Sequence, residues 1–296
     1  MFSSVAEDPR PPSNNVCPLG AGKARRAYIG WLMNEAPILF DRTAGVATIT
    51  LNRPQRLNAI TWPMMEELVR LTRQVGADAE TRVLVFKGAG RAFSSGDDIV
   101  DGMGTRSLGG DPEGITADRG LHYELVKLLL ELPKPVVAAI HGRCHGAAWV
   151  ISLACDFRVG HADAMVGDIR AGRAIFAGQS APLLLPRLIG QSRAMDLLMT
   201  GRVVDAHEAE RIGYFVRVWP ADEYEESVGK FVADLAHGPT KTYAAWKLAV
   251  NRSVLLELDG YTDYEHHLTQ LVRETEDHTE GRASFRERRE PAYQGR

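Results

Sequence analysis

The chain has 296 residues, of which 45% are hydrophobic and 25% are charged, a composition typical of a globular protein with enough apolar material for a full core. Its formal net charge of -3, without an arginine- or lysine-rich block, argues against a nucleic-acid partner. Three cysteines without a C-x-x-C pair predict neither a disulfide framework nor a metal site. No apolar run approaches the ~20 residues that cross a bilayer, so we expect a cytoplasmic protein without a membrane segment.

The first 35 residues differ in character from the rest of the chain. They contain a proline-rich run at 9–15 (PRPPSNN) and a basic run at 22–26 (GKARR), but no apolar run of a secretion signal. We expect either a flexible N-terminal extension over 1–35 or a translation start later than residue 1.

From residue 36 onward, strand patterns alternate with helix patterns. Apolar and β-branched runs predict strands at 44–51, 82–87 and 135–140. Apolar residues spaced three and four apart predict helices over 61–75 and 121–132. This alternation predicts an α/β protein with a largely parallel sheet flanked by helices.

The second part of the chain changes class. Short strands are predicted at 157–160 and 164–167, and from residue 179 onward the pattern is almost wholly helical. The predicted helices, separated by turns at Gly213, 238–239 and Gly260, are 191–200, 206–212, 222–237, 241–256 and 261–276. We therefore predict a core over 36–200 and a helical C-terminal region over 201–296.

Two glycine-bearing loops each follow a predicted strand, at 88–99 (GAGRAFSSGDDI) and 140–150 (IHGRCHGAAWV). Together they can aim backbone N–H groups at one point, which is what a developing oxyanion requires.

These loops belong to a set of six motifs that occur in order over residues 36–296. The motifs are LNRPQRLNAI (51–60), FSSGDDI (93–99), KPVVAAIHG (134–142), CD (155–156), MTGRVVDAHEAERIG (199–213) and EGRASFRERREP (280–291). In this order and spacing the chain resembles the crotonase (enoyl-CoA hydratase/isomerase) superfamily. The resemblance implies a spiral of stacked ββα units with a C-terminal helical trimerisation region, in homotrimers or dimers of trimers. It also implies a CoA thioester as substrate, with no permanently bound cofactor.

The resemblance also assigns site residues. The oxyanion N–H groups fall on Asp97, just after Gly96, and on Ala147, just after Gly146. The segments 52–58 and 94–99 would hold the adenine and phosphates of CoA, with guanidinium groups suited to phosphate oxygens. The implied CoA-binding residues are Arg53, Arg56, Ser94, Ser95, Gly96, Asp98, Ile99 and Gly146. Phe285 and Arg288 would close over the nucleotide of a neighbouring subunit.

The chain departs from the family at the two catalytic glutamates. Counting from the motifs places Val150 at the first position and Arg170 at the second. Neither side chain can accept a proton at a working pH. Two-glutamate hydration and one-glutamate double-bond isomerisation are therefore not expected, unless the register slips in the 160s and an acid reaches the site after all.

Three side chains are candidates for the missing acid or base. Asp97 carries a carboxylate on the oxyanion loop, although it could equally be a solvated or helix-capping acid. His145 is a near-neutral base beside Gly146, although a lone histidine often only packs. Asp168 precedes Arg170 by two residues, so the two could face the same way along a strand and simply pair. Arg170 could alternatively bind an anionic end of the acyl group.

We therefore expect an enzyme of lyase or isomerase type that stabilises a thioester oxyanion or enolate with two backbone N–H groups. Decarboxylation of a malonyl-type thioester fits, because loss of CO2 leaves an enolate without a base. Hydrolysis through Asp97 or His145 is another variant. The alternative is a non-catalytic acyl-CoA-binding protein that kept the scaffold.

Overall fold

A mixed sheet forms the centre of the protein, as seen in a computed structural model that describes residues 36–98, 120–176 and 178–294. In chain order its strands and those of a second sheet are β1 (Ile38–Thr43), β2 (Val46–Leu51), β3 (Val83–Gly88), β4 (Val136–Ile140), β5 (Arg143–His145), β6 (Phe157–His161), β7 (Met165–Gly167), β8 (Val204–Asp205) and β9 (Arg217–Trp219).

The helices of the described residues are α1 (Trp62–Ala77), α2 (Gly120–Glu131), α3 (Gly146–Leu153), α4 (Ala181–Ile189), α5 (Gln191–Thr200), α6 (Ala206–Arg211), α7 (Tyr224–His237), α8 (Thr240–Arg273) and α9 (Glu276–Glu287). Two short 3-10 turns, Pro54–Arg56 and Ala171–Arg173, lie beside the loops described below.

The large sheet has the strand order β1-β2-β3-β4-β6-β9. Its first two strands form an antiparallel hairpin, and all the other neighbours pair in parallel. The prediction of a largely parallel sheet flanked by helices is thus confirmed, with strands at the predicted places. Strand β1 was missed because its alternation is broken by the polar residues at its end.

Both faces of this sheet are covered, which explains the uninterrupted apolar runs of its central strands. Leu84 and Phe86 of β3 point into the larger core, formed with α1, α2 and α3, while Val83 and Val85 pack against α7. Side chains alternate along a strand, so one run of four apolar residues serves two cores.

A smaller sheet, β5-β7-β8, lies where the chain leaves β4 and returns through β7. Its first strand leads directly into α3, so the second predicted glycine loop passes without a break into a helix N-terminus.

Two predictions for the second half of the chain are wrong. The two helices predicted on either side of Gly260 are one continuous helix, α8. Gly260 lies in open space on its exposed side, and the ~1 kcal/mol that a glycine costs a helix is outweighed by packing of the opposite face. In addition, β8 and β9 interrupt the segment predicted as almost wholly helical.

Contacts tie Pro37–Arg296 into one compact unit, and its division into a core at 36–200 and a helical region at 201–296 stays a prediction. The predicted extension at 1–35 lies outside the described residues. Across the described part of the chain, no helix is long and apolar enough to cross a membrane.

Candidate active site

The two glycine loops run side by side in parallel. The backbone N–H of Ser94 donates to the carbonyl of Arg143 at 2.9 Å, and the N–H of His145 donates to the carbonyl of Ser94 at 3.1 Å. Two residues further along, Gly96 and Gly146 face each other. The sequence prediction that these two loops meet at one place is therefore confirmed.

Glycine is required at this contact for two reasons. Gly96 has a φ of +93° and Gly146 a φ of +55°, in the left-handed region that side chains other than glycine rarely adopt. A Cβ on Gly96 would also lie 2.8 Å from the carbonyl oxygen of His145 and 3.3 Å from the backbone nitrogen of Ala147. The two loops can therefore approach this closely only because Gly96 has no side chain.

The residues after these glycines carry N–H groups with no hydrogen-bond partner. No described residue accepts a hydrogen bond from the backbone nitrogen of Asp97 or of Ala147. Ala147 is the second residue of α3, and the first N–H groups of a helix have no partner within it. Ala147 is fully buried, so its N–H is also shielded from water.

Buried hydrogen bonds hold the first loop in shape. The hydroxyl of Ser94 donates to the carbonyl of Asn58 at 2.8 Å and accepts from the N–H of Gly96 at 3.1 Å. The amide of Asn58 donates to the carbonyls of Ala89, Ala92 and Phe93. The side chain of Ser94 is thus fully buried within the loop, and its contact with CoA stays a prediction.

The other predicted CoA contacts differ in how free they are. The guanidinium of Arg53 donates to the buried carboxylate of Asp98 at 2.8 Å and to the carbonyl of Ala59 at 2.7 Å. Arg56 lies 3.8 Å from the same carboxylate, and 44% of its side chain is exposed. Ser95 is half-buried and donates its N–H to Leu57, and Ile99 lies outside the described residues. Arg56 is therefore the guanidinium with room for a phosphate.

Asp97 does not extend into solvent. Its Oδ1 lies 2.9 Å from Nε2 of His122, a buried residue near the start of α2, and its Oδ2 lies 3.5 Å from Nε2 of Gln179. Burial by itself would raise the pKa of Asp97, but the charge and hydrogen bond of His122, the charge of Arg170 and the Gln179 bond hold it below its ordinary value. The site therefore holds an ionised carboxylate in a mostly buried position.

Arg170 and Asp168 pair, as the sequence predicted. The Nε of Arg170 lies 2.8 Å from Oδ1 of Asp168, and its Nη2 lies 2.5 Å from Oδ2. The predicted reason was wrong, because β7 ends before Asp168 and the pair closes a turn in which Asp168 also accepts the N–H of Arg170. Nη1 of Arg170 donates to Gln179, so one glutamine links this pair to Asp97.

A strained turn places Gln179 in that position. Gln179 and Ser180 both have positive φ, +62° and +73°, in a segment that leads into α4. Both carboxylate oxygens of Glu265, from α8, accept the N–H of Ser180 at 3.0 and 3.1 Å. Burial raises the pKa of Glu265 to about 7, against the lowering effect of the Ser180 bond and of Arg170.

The remaining candidates lie outside this network. His145 precedes α3, and its Nε2 is buried without a hydrogen-bond partner among the described residues. Burial and the charge of Arg143 lower its pKa, against the opposite effect of Asp168. Val150, at the first glutamate position, is buried in the larger core. No described group of His, Cys, Asp and Glu is arranged to hold a metal ion.

Phe285 lies in the last turn of α9, and Arg288 follows the end of this helix. The ring of Phe285 is 45% exposed and lies 5.3 Å from the guanidinium carbon of Arg173. Both line an open cleft of about 550 Å³ with Arg173, Arg286, Arg289 and Glu290. An aromatic face among four arginines is chemically suited to an anionic nucleotide.

Comparison with known proteins decides the family. Residues 41–296 match the family model of enoyl-CoA hydratase/isomerase. The chain belongs to the enoyl-CoA hydratase/isomerase family. It is 31% identical over 265 residues to a putative enoyl-CoA hydratase/isomerase of Bacillus subtilis, which covers 89% of this chain and 100% of the relative.

A second relative, 1,2-epoxyphenylacetyl-CoA isomerase of Escherichia coli, is 32% identical over 88% of this chain and 98% of its own length. Among solved structures, an enoyl-CoA hydratase from Mycobacterium avium subsp. paratuberculosis superposes with a TM-score of 0.76 at 30% identity, over 88% of this chain and 99% of that one. The predicted crotonase fold is thus confirmed.

Sequence reasoning missed three members of the site in this enoyl-CoA hydratase/isomerase family chain: His122, Gln179 and Glu265. Gln179 follows Arg170 by nine residues, and no motif in the sequence marks its amide as a site group. His122 and Glu265 come from helices far along the chain, and no local motif marks either of them.

Proposed function

We propose that this chain is an acyl-CoA enzyme that holds the thioester carbonyl on the N–H groups of Asp97 and Ala147. The observation that carries the proposal is the pair of unpartnered N–H groups on two loops that glycine alone allows to touch. A carbonyl oxygen that gains negative charge is stabilised by such preorganised donors, at ~3 kcal/mol for one donor.

The charges around the hole support this use. A carboxylate on Asp97 would oppose an oxyanion at its own N–H, but Arg170 lies close enough to lower the pKa of that carboxylate. Arg170 is in turn charged, because Asp168, Asp97 and Glu265 outweigh the effect of burial and raise its pKa. The site therefore combines fixed dipoles with a compensated carboxylate, rather than an unshielded negative charge.

The same geometry argues against hydration by two glutamates. Val150 contributes only methyl groups to the core, and Arg170 is committed to Asp168 and Gln179. With the guanidinium so engaged, recognition of an anionic acyl end by Arg170 is also less favoured. Enolate-forming or hydrolytic chemistry on a thioester remains, and the relatives include a probable enoyl-CoA hydratase and an isomerase of a CoA thioester.

CoA itself is proposed to lie along the Pro54–Arg56 turn, with Arg56 as the phosphate partner. We further propose a homotrimer or a dimer of trimers, in which Phe285 and Arg288 reach a neighbouring nucleotide. Supporting this, α8 exposes large apolar side chains such as Trp246, Val250 and Leu256, each at least two-thirds exposed. Sedimentation velocity of the purified chain tests it, and a monomer at working concentration would refute it.

Calorimetry of the native chain and of Ala147→Pro tests the proposed function. Proline is tolerated in a first helical turn, where it removes the N–H and places a ring carbon on the same nitrogen. We expect acetyl-CoA to bind the native chain more tightly than CoA, and this preference to fall by roughly tenfold or less in Ala147→Pro, as one hydrogen bond predicts. Ala148→Pro, one residue further in the same turn, is the matched control and keeps the preference.

Three outcomes would each contradict a part of the proposal. Absence of acetyl-CoA binding removes the CoA function altogether. Fast hydration of crotonyl-CoA, followed by loss of the conjugated enoyl absorbance, would show that two-glutamate chemistry has a substitute that the site geometry does not reveal. Binding without turnover of any acyl-CoA would instead favour a non-catalytic acyl-CoA-binding protein.

A further inference from the structure

One ring nitrogen of His122 has no assigned role. Nε2 contacts Asp97, while Nδ1 is buried and has no hydrogen-bond partner among the described residues. An ionised carboxylate only accepts hydrogen bonds, so in the neutral ring the proton is on Nε2 and the lone pair is on Nδ1. Burying a polar atom without a hydrogen-bond partner costs about 1–3 kcal/mol of folding free energy. Such an atom therefore calls for an explanation, such as a role in catalysis.

The ring that carries this nitrogen contacts the residue that bears one of the two unpartnered N–H groups. His122 contacts the side chain of Asp97, whose own backbone N–H is one of the two donors. One aspartate side chain and one imidazole ring therefore separate Nδ1 from the place where a thioester oxygen would bind.

The imidazole of His122 is also held in position, beside a carboxylate that favours its protonated form. Its partner Asp97 is fixed on the second carboxylate oxygen by Gln179, which Arg170 and the Glu265-bound turn keep in place. A carboxylate behind an imidazole orients the ring and stabilises the imidazolium that forms when the ring takes a proton.

His145, the other buried histidine near the loops, lacks these features. The carboxylate whose charge raises the pKa of His145 is that of Asp168, and Arg170 already binds this carboxylate at three atom pairs. The neighbouring Arg143 disfavours an imidazolium at this position. Of the two rings, only that of His122 has a partner for the charge it would acquire.

We propose that His122 is the catalytic base that removes a proton from the α-carbon of an acyl-CoA thioester. The inference rests on the proposed function, since it needs the carbonyl on the Asp97 and Ala147 N–H groups. The Nδ1 lone pair takes the proton, and the C–H electron pair becomes the carbon–carbon double bond of an enolate. The carbonyl electron pair moves to oxygen, where the two N–H groups receive it, and the reverse step returns a proton from the imidazolium.

Exchange in heavy water tests this step without knowledge of the natural substrate. Butanoyl-CoA is incubated with the enzyme in D2O, and deuterium gain at the α-carbon is followed by mass spectrometry and proton NMR. We expect exchange by the native chain and a loss of roughly 10²–10⁴-fold in His122→Ala and in His122→Gln. The glutamine variant keeps a polar contact to Asp97, so it guards against a folding defect in the alanine variant.

Chemical rescue separates a catalytic from a structural histidine. Added imidazole should restore exchange in His122→Ala, where the ring space is empty, and should not do so in His122→Gln. His161→Gln is the matched control, because His161 lies 2.5 Å from Asp163 in a second His–Asp pair, whose carboxylate accepts the N–H of Gly142 and does not contact Asp97 or Ala147. It should exchange at the native rate.

The outcomes are distinguishable from failure of the proposed function. If acetyl-CoA does not bind by calorimetry, both proposals fail together. If it binds but the native chain shows no exchange, or if His122→Gln exchanges like native, the role of His122 is refuted while CoA binding stands. Loss of exchange in His145→Gln with retention in His122→Gln would assign the base to the other ring.

Discussion

Replacing Gly96 by alanine tests the contact on which the site depends. The backbone of Gly96 has a φ of +93°, which costs an L-residue ~1–2 kcal/mol. The new methyl would also lie 2.8 Å from the carbonyl oxygen of His145, a backbone atom that cannot rotate away. Overpacking of this kind costs ~1–3 kcal/mol. We therefore expect Gly96→Ala to lower the free energy of unfolding by about 2–5 kcal/mol.

The same change should push the two loops apart and weaken acyl-CoA binding. Urea unfolding followed by tryptophan fluorescence measures the stability, since Trp149 is buried in the core beside the second loop. Gly229→Ala is the matched control, because Gly229 lies within α7 with open space at its Cβ position. Gly229→Ala should raise the free energy of unfolding by roughly 0.5–1 kcal/mol. A Gly96→Ala variant as stable as native and with native affinity would refute the described loop contact.

Three further changes separate folding from ligand binding. Asn58→Ala removes the amide that bonds several backbone groups of the first loop. Thermal melting should therefore show a free energy of unfolding lower by roughly 3 kcal/mol or more. A loss under ~1 kcal/mol would contradict the described hydrogen bonds of Asn58. Arg56→Gln should weaken CoA binding roughly tenfold at unchanged stability. Arg53→Gln should instead destabilise the fold by ~3 kcal/mol, because the buried carboxylate of Asp98 loses its 2.8 Å contact with a guanidinium. Reversed effects of the two substitutions would overturn this division. The pKa of Glu265 is raised from 4.5 to about 7, so between these pH values the folded state binds a proton that the unfolded state does not. The free energy of unfolding should therefore fall by roughly 3 kcal/mol as the pH rises from about 4.5 to about 7. Glu265→Gln should flatten this part of the stability profile, and an unchanged slope would show that another group titrates.

Local patterns predicted the parts of the fold that local physics determines. Strands β3 and β4 are uninterrupted apolar runs because helices cover both faces of the sheet, and such runs are visible in the sequence. Helix α8 was predicted in two pieces because glycine is a strong local stop signal. The continuous packing of Val254 and Leu258 on one side of Gly260 is a tertiary effect that overrides it.

The site residues likewise fall into those that the local sequence determines and those that tertiary packing brings together. Asp97 and Ala147 could be placed from sequence because each follows a glycine in a loop after a strand, and the chain itself determines their backbone geometry. The partner of Asp97 could not, since His122 lies on a separate helix and only the packed structure brings the two side chains within 2.9 Å. The pairing of Asp168 with Arg170 was foreseen from their separation by two residues, although the two side chains meet across a turn and not along a strand.

A crystal structure of the chain with a bound acyl-CoA tests the central claim most directly. The account predicts that the thioester carbonyl oxygen lies within ~3 Å of the backbone nitrogens of both Asp97 and Ala147, as hydrogen-bond geometry requires. A carbonyl oxygen bound elsewhere, with water on these two nitrogens, would contradict it.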